Sequence, residues 1–114
     1  MMNIDYPKKT RTHAEIQALL WQQLTTAGVD ARLEVKSYKS RFDIVIFRDK
    51  EARAIIECKS WSPRYFRNYR YQKARNQGQI NRYREMFGIP VFVCGCLASI
   101  NPAVHFAKKC VAWD

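Results

Sequence analysis

Two carboxylates and one ammonium group, those of Asp43, Glu57 and Lys59, lie at the ends of two consecutive apolar runs. If these runs form a hairpin that is symmetric about Lys50, Asp43 lies directly across from Glu57, with Cβ atoms about 5 Å apart on one sheet face. The period of two in a strand returns Lys59 to that face and turns the Cys58 side chain away, although the Cys58 backbone carbonyl could still bind a metal. Two carboxylates so close repel each other unless a cation lies between them, and Mg²⁺ or Mn²⁺ suits their oxygens.

The same three groups match the needs of phosphodiester hydrolysis. A divalent metal neutralises charge on the phosphate and acidifies a bound water, and a nearby cation orients that water. We therefore expect Asp43 and Glu57 to hold the metal and Lys59 to act on the water. The alternative is that Glu57 and Lys59 are surface charges on a strand edge and that Asp43 marks a loop end. The apolar run 54–56 that precedes Glu57 argues against a solvated edge.

The elements that must position these residues follow from hydrophobic periodicity and from the turn residues. Apolar residues at helical spacing predict a first helix over about 12–27, and the alternation of Ala31, Leu33 and Val35 with charged residues predicts a strand. Further along the chain we expect hairpin strands over 42–47 and 53–59 joined by the five-residue loop RDKEA, a helix over 69–87, a buried strand over 89–95 and a short helix over 102–109 with Asn101 as its N-cap. This order predicts an α/β fold with a central mixed sheet, a three-strand meander plus a crossover strand, flanked by helices.

The charge of the chain indicates a polyanionic partner. Among its 114 residues, 20 Lys and Arg against 10 Asp and Glu leave a net charge of +10, and no acidic residue occurs from 60 to 84. The alternative is a solvated helix face with core aromatics, but such a face normally carries both charge signs. The predicted nucleic-acid-binding residues in this stretch are Arg64, Arg67, Arg70, Lys73, Arg75, Arg82, Tyr65 and Tyr69.

Length and composition bound the class of protein. We expect one domain over residues 1–114, with 1–11 flexible. No apolar stretch approaches the roughly 18 residues of a membrane span, and the first residues lack the apolar core of a signal peptide, so we expect a cytoplasmic protein with free cysteines. His13 and His105 lie too far apart in sequence, without ligands at metal spacing, to predict a zinc site.

The runs RFDIVIF and AIIECKS together resemble the signature of the PD-(D/E)xK, or restriction-endonuclease-like, nuclease superfamily, in which an Asp at the start of one strand precedes (D/E)-x-K on the next. The resemblance extends over about residues 12–95 and includes the order of helix, meander, helix and strand. It implies a restriction-endonuclease-like core, Mg²⁺-dependent DNA hydrolysis, and Asp43, Glu57 and Lys59 as the catalytic set. Arg41 and Phe42 stand where the Pro of the motif's name would precede Asp43.

Three further positions are similar to features of the family. Glu15 on the first helix matches an acidic residue that many members contribute to metal binding, although Thr12 and Glu15 also have the spacing of a capping box. Gln79 and Tyr83 resemble the Q-x-x-x-Y motif of RecB-type nucleases, and their spacing places them on one helix face. The alternative is that they are exposed polar residues of that helix.

The resemblance implies a small standalone endonuclease of a mobile element, phage or repair system, of the homing or restriction type or junction-resolving. It leaves open an exonuclease, and charge alone does not separate DNA from RNA. A nucleic-acid-binding module that has kept the fold and lost catalysis is the other alternative. Because 114 residues leave little room for a target-reading domain, we expect a homodimer or a higher homo-oligomer.

Overall fold

The computed structural model describes residues 12–37, 40–59, 69–95 and 99–112. For residue 37 and for residues 69–73 it describes the backbone alone. Three helices and four strands lie in these ranges. In chain order they are α1 (His13–Thr26), β1 (Asp30–Ser37), β2 (Ser40–Arg48), β3 (Glu51–Cys58), α2 (Tyr69–Phe87), β4 (Val91–Cys94) and α3 (Ile100–Ala112). Residues 1–11, for which flexibility is predicted, lie outside the described residues.

The strands form one mixed sheet in the order β1-β2-β3-β4. β1 pairs with β2 and β2 with β3 in antiparallel fashion, whereas β4 lies parallel to β3. A parallel neighbour requires a crossover connection, and α2 is part of that connection. The predicted α/β class and the mixed sheet with flanking helices are therefore confirmed.

Two apolar clusters cover the two faces of the sheet. On one face α1 and α3 pack against β2 and β3, and on the other α2 packs against residues of β2, β3 and β4. Burial of these apolar side chains is the main force that holds the helices on the sheet. The buried members of the first cluster include Ile16, Leu20, Leu24, Ile44, Ile46, Ile56 and Ala103, and those of the second are Phe42, Val45, Ile55 and Val91.

The β2–β3 hairpin is tighter than predicted. Its turn consists of Asp49 and Lys50, both in the left-handed region with φ of 52° and 67°, so the predicted five-residue loop is wrong. A two-residue turn with positive φ at both positions matches the right-handed twist of the strands. Phe47 consequently pairs with Ala52, and an extra residue, Arg53, restores the predicted register at the next pair along the strands.

The ends of the helices agree in part with the predicted ones. α2 spans the predicted residues and ends before Gly88, which has a φ of 66°. α3 begins at Ile100 and ends at Ala112, so the predicted start at Pro102 with Asn101 as N-cap is wrong. Pro102 is accommodated because the N–H groups of a first helical turn have no intrahelical acceptor.

No helix in the described ranges is both long enough and apolar enough to cross a membrane. Among the described residues, the thiols of Cys58 and Cys110 form no disulfide. Cys96 lies outside the described residues.

Candidate active site

Asp43 lies where β2 and β3 separate. Their pairing ends with Ile44 opposite Ile56, and one further step in the same register brings Asp43 opposite Glu57. Beyond this pair the Asp43 carboxylate spans the gap, since its Oδ2 accepts a 2.8 Å hydrogen bond from the backbone N–H of Cys58. The carboxylate is thus held at the end of β3, immediately beside Glu57.

Glu57 is a buried carboxyl group in an unfavourable environment. It is 5% exposed, and its Oε1 atom has no hydrogen-bond partner among the described residues. Burial, followed by the negative charge of Asp43 and a hydrogen bond with the Asp43 side chain, raises the pKa of Glu57 to about 8 from its ordinary 4.5. The positive charge of Lys59 acts in the opposite direction on the same pKa. A cation at Oε1 would offset both the free-energy cost of burying the Glu57 charge and its repulsion by Asp43.

Lys59 follows β3 directly and lies at the wall of a cleft. Its backbone N–H donates a 2.9 Å hydrogen bond to the Cys94 carbonyl of β4, which fixes the chain at this point. The cleft has a volume of about 330 Å³, and the lining residues that the structure describes carry three cations, two amides and no carboxylate. They are Lys59, Arg75, Asn76, Gln79 and Arg82. Three cations facing one space favour binding of an anion.

Gln79 and Tyr83 connect this cleft to the aromatic side of the core. Gln79 Nε2 donates to the Tyr83 hydroxyl at 3.3 Å, and the Tyr83 ring lies edge-on against Phe42 with centroids 5.2 Å apart. Phe42 immediately precedes Asp43, and its ring also meets that of Phe87 edge-on at 5.0 Å. Gln79 therefore lines the cleft while Tyr83 anchors it from behind, and neither residue is fully exposed.

Glu15 has the position of a helix cap. Its backbone N–H donates to Thr12 Oγ1 at 3.2 Å, and its Oε1 accepts from the Thr12 backbone N–H at 3.3 Å, so the capping box is complete. The structure thus shows the capping alternative for Glu15. Its predicted role as a metal ligand finds no support in this geometry.

Two residues of α1 that were not predicted to belong to this site contact Asp43. His13 Nε2 lies 2.9 Å from Asp43 Oδ1, and the buried Gln17 side chain donates a 2.9 Å hydrogen bond from Nε2 to the Asp43 backbone carbonyl. Both contacts join positions at least 26 residues apart, so no local spacing predicts them. The capping box at Thr12 indicates where α1 begins, but not that its first turn lies over Asp43.

The donor set suits a hard divalent ion that retains water. In the ranges that the structure describes, no three His, Cys, Asp or Glu side chains form a metal-binding cluster. Mg²⁺ commonly uses only one or two carboxylates and completes its shell with water and substrate phosphate oxygens, so the pair of Asp43 and Glu57 fits. The Cys58 carbonyl stays a predicted ligand.

The predicted nucleic-acid contacts are described only in part. Arg75 and Arg82 line the cleft. Arg64, Arg67 and Tyr65 lie outside the described residues. Tyr69, Arg70 and Lys73 belong to α2, but their side chains are outside the described part of the structure.

Comparisons with known proteins add no relative. A scan against protein-family models and searches of curated proteins and of solved structures found no match to this chain. The resemblance to PD-(D/E)xK nucleases therefore stays a prediction.

Proposed function

We propose that this chain is a Mg²⁺- or Mn²⁺-dependent nuclease of the PD-(D/E)xK type that hydrolyses DNA phosphodiester bonds. The observation that carries the proposal is the buried Oε1 atom of Glu57, which accepts no hydrogen bond from the described residues and lies beside the Asp43 carboxylate. When both groups are ionised, two adjacent buried carboxylates repel each other unless a cation binds them. A divalent cation is the partner that such a pair favours.

Each side chain has a defined part in the proposed reaction. When bound, the metal supplies charge neutralisation at the phosphate and a more acidic water. Asp43 and Glu57 hold that metal with their carboxylate oxygens, and Lys59 orients the attacking water through its ammonium group. Gln79, fixed by Tyr83, presents its amide at the cleft wall, where a substrate phosphate lies.

The cationic cleft supports nucleic acid as the substrate. Arg75, Gln79 and Arg82 are spaced by four and three residues on α2, which places them along one face of the helix. Lys59 adds a third cation to this cleft, and its charge also acts on Glu57. Phosphate contacts of this kind bind a nucleic-acid backbone without reading its bases.

Plasmid cleavage tests the proposal directly. Supercoiled plasmid is incubated with Mg²⁺ and wild-type protein, Asp43→Asn, Glu57→Gln or Lys59→Met, with Lys108→Met on α3 as the matched control. We expect nicking by the wild type and the control, and a loss of roughly 100-fold or more in each site variant. A wild type that binds plasmid without nicking it would instead favour a second candidate function, a nucleic-acid-binding module without catalysis.

That second candidate is a nucleic-acid-binding module without catalysis, and the cleft is the observation in its favour. The two are separated by gel-shift binding without metal, run beside the cleavage assay. In such a module the negative charges of Asp43 and Glu57 would weaken the binding of nucleic acid. Asp43→Asn should therefore bind nucleic acid more tightly than the wild type.

The biological setting and the assembly belong to the same proposal. We place the enzyme as an endonuclease of a mobile element, phage or repair system, acting as a homodimer whose two sites address two strands. Light scattering gives the oligomer size. Circular, linear, four-way-junction and RNA substrates, compared side by side, separate the endonuclease from an exonuclease, a junction resolvase and a ribonuclease.

A further inference from the structure

The ladder between β1 and β2 is interrupted at the position of Asp43. Leu33 pairs with Ile44 and Val35 with Phe42, but Glu34 and Asp43, which stand between these pairs, are not paired. The register is the same on both sides, so no residue has been inserted. Glu34 has a φ of 54°, in the left-handed region that a residue with a Cβ rarely adopts. The interruption is therefore a local rotation of the backbone, centred on Glu34 and Asp43.

The side chains around Asp43 show that rotation. Phe42 belongs to the apolar cluster under α2, whereas Ile44 belongs to the cluster under α1 and α3. In a regular strand, residues two apart lie on the same face. The reversal occurs between these two residues, so Asp43 lies at the crossover, and its carboxylate reaches the Cys58 N–H at 2.8 Å.

A buried contact holds the rotated segment in place. Gln17 Nε2 of α1 donates a 2.9 Å hydrogen bond to the Asp43 carbonyl, and Gln17 is 7% exposed. Arg41 Nε also lies 2.9 Å from Glu34 Oε2, but both side chains are exposed, so this ion pair adds little. Backbone in a sparsely populated region persists only where its surroundings hold it, and such positions cluster at functional sites.

We propose that Glu34 and Gln17 are positioning residues of the Asp43–Glu57 site. Glu34, through its left-handed backbone, rotates the segment so that the Asp43 carboxylate reaches Cys58. Gln17 binds the carbonyl that the rotation takes out of the ladder. The catalytic consequence rests on the proposed nuclease function, whereas the effect on the Asp43 carboxylate does not.

The chain offers matched variants for a test. Glu34→Gly tolerates positive φ and Glu34→Val resists it, because a β-branched side chain is a steric outlier there. Lys50→Val places the same side chain at another left-handed position, φ 67°, in the hairpin turn. That turn lies roughly 20 Å along β2 from Asp43. Gln17→Leu removes the amide donor, with the exposed Gln22→Leu of the same helix as its control.

The first measurement is made without metal or substrate. Amide hydrogen exchange and the proton chemical shift of Cys58 report its bond to Asp43 Oδ2. We expect Glu34→Val and Gln17→Leu to lose the protection of this amide, and Glu34→Gly, Lys50→Val and Gln22→Leu to keep it. Retention in both Glu34→Val and Gln17→Leu would overturn the proposal whether or not the protein is a nuclease.

The second measurement is Mn²⁺ affinity and plasmid cleavage by the same proteins. Residues that orient metal ligands change affinity or activity by roughly 10-fold to 100-fold. We expect the kcat of Glu34→Val and of Gln17→Leu to fall by roughly 10-fold to 100-fold with little change in KM. Glu34→Gly should keep the activity of the wild type. Lys50→Val should differ from the wild type only in unfolding at a lower temperature. If Lys50→Val lost as much kcat as Glu34→Val, the effect at Glu34 would be one of general stability, and the proposed positioning role of Glu34 would be overturned. If Glu34→Val does not fold, Gln17→Leu carries both measurements, and a wild type without activity contradicts the nuclease proposal alone.

Discussion

The backbone N–H of Cys58 donates to the carboxylate of Asp43, 15 residues earlier in the chain, at 2.8 Å. This bond joins the ends of β2 and β3 at the point where their ladder stops. It leaves Glu57, the residue before Cys58, beside a fixed negative charge and shielded from water. The raised pKa of Glu57 should therefore determine how the stability of the protein and its binding of a metal depend on pH.

Glu57 should make the metal-free protein less stable as the pH rises. Its pKa is about 8 in the folded protein and 4.5 ordinarily, so between these values the folded state binds more protons than the unfolded chain. The free energy of unfolding therefore falls as pH rises through this window, at up to about 1.4 kcal/mol per pH unit. Urea unfolding of wild type and Glu57→Gln, at about pH 5 and about pH 8, should show the wild type losing stability relative to the variant.

A divalent metal should reverse this loss. The ion binds the folded site with Glu57 ionised, so it stabilises the native state, by about 2.7 kcal/mol at a concentration 100 times Kd. We expect Mg²⁺ or Mn²⁺ to raise the Tm of the wild type more at high pH than at low pH. Asp43→Asn and Glu57→Gln should show no such increase, and an equal increase in both variants would place the ion elsewhere.

Arg75 and Arg82 should contribute to nucleic-acid binding through charge. Each contact with a phosphate releases about one counterion, so Arg75→Ala or Arg82→Ala should reduce the slope of log K against log salt by about one. Arg84→Ala is the control, because Arg84 is exposed on the same helix but does not line the cleft. Fluorescence anisotropy across a salt series measures all three, and identical slopes would remove the cleft from the binding surface.

Phe42 should affect both the stability of the protein and its nuclease activity. Its edge-on contacts with Tyr83 and Phe87 are lost in Phe42→Leu, which should reduce stability by about 1 kcal/mol. Phe106, whose ring lies 5.2 Å from that of Phe92 on the other side of the sheet, provides a matched Phe106→Leu. Both variants should unfold earlier in urea. Only Phe42→Leu should also lower the rate of plasmid nicking.

Glu15 can be tested as a cap and as a ligand with one substitution. Glu15→Gln keeps the reciprocal bonds of the capping box, because Gln serves at this position as well as Glu. We therefore expect nicking and Mn²⁺ affinity close to those of the wild type. A clear fall in Mn²⁺ affinity with unchanged Tm would return Glu15 to the metal site. Thr12→Ala, which breaks the cap, should lower stability by about 1 kcal/mol.

Local sequence determined the elements and the strand register around the site. Helical spacing and the Gly88 stop placed α2, and the alternating and apolar runs placed the three strands of the meander. Asp43 falls opposite Glu57 although the turn was predicted wrongly, because Arg53 compensates for the shorter turn. Side-chain periodicity survives such a local error whenever the apolar face of a strand must stay buried.

The tertiary structure alone decided the environment of the carboxylates. Packing of α1 across the sheet brings His13 and Gln17 to Asp43, and no pattern in the sequence encodes a contact between positions so far apart. The left-handed backbone of Asp49 and Lys50 lies in the hairpin turn and that of Glu34 between two intact pairs of the ladder, and none of the three is a glycine. Burial of Glu57 likewise follows from layers that close over both faces of the sheet, and burial is what raises its pKa.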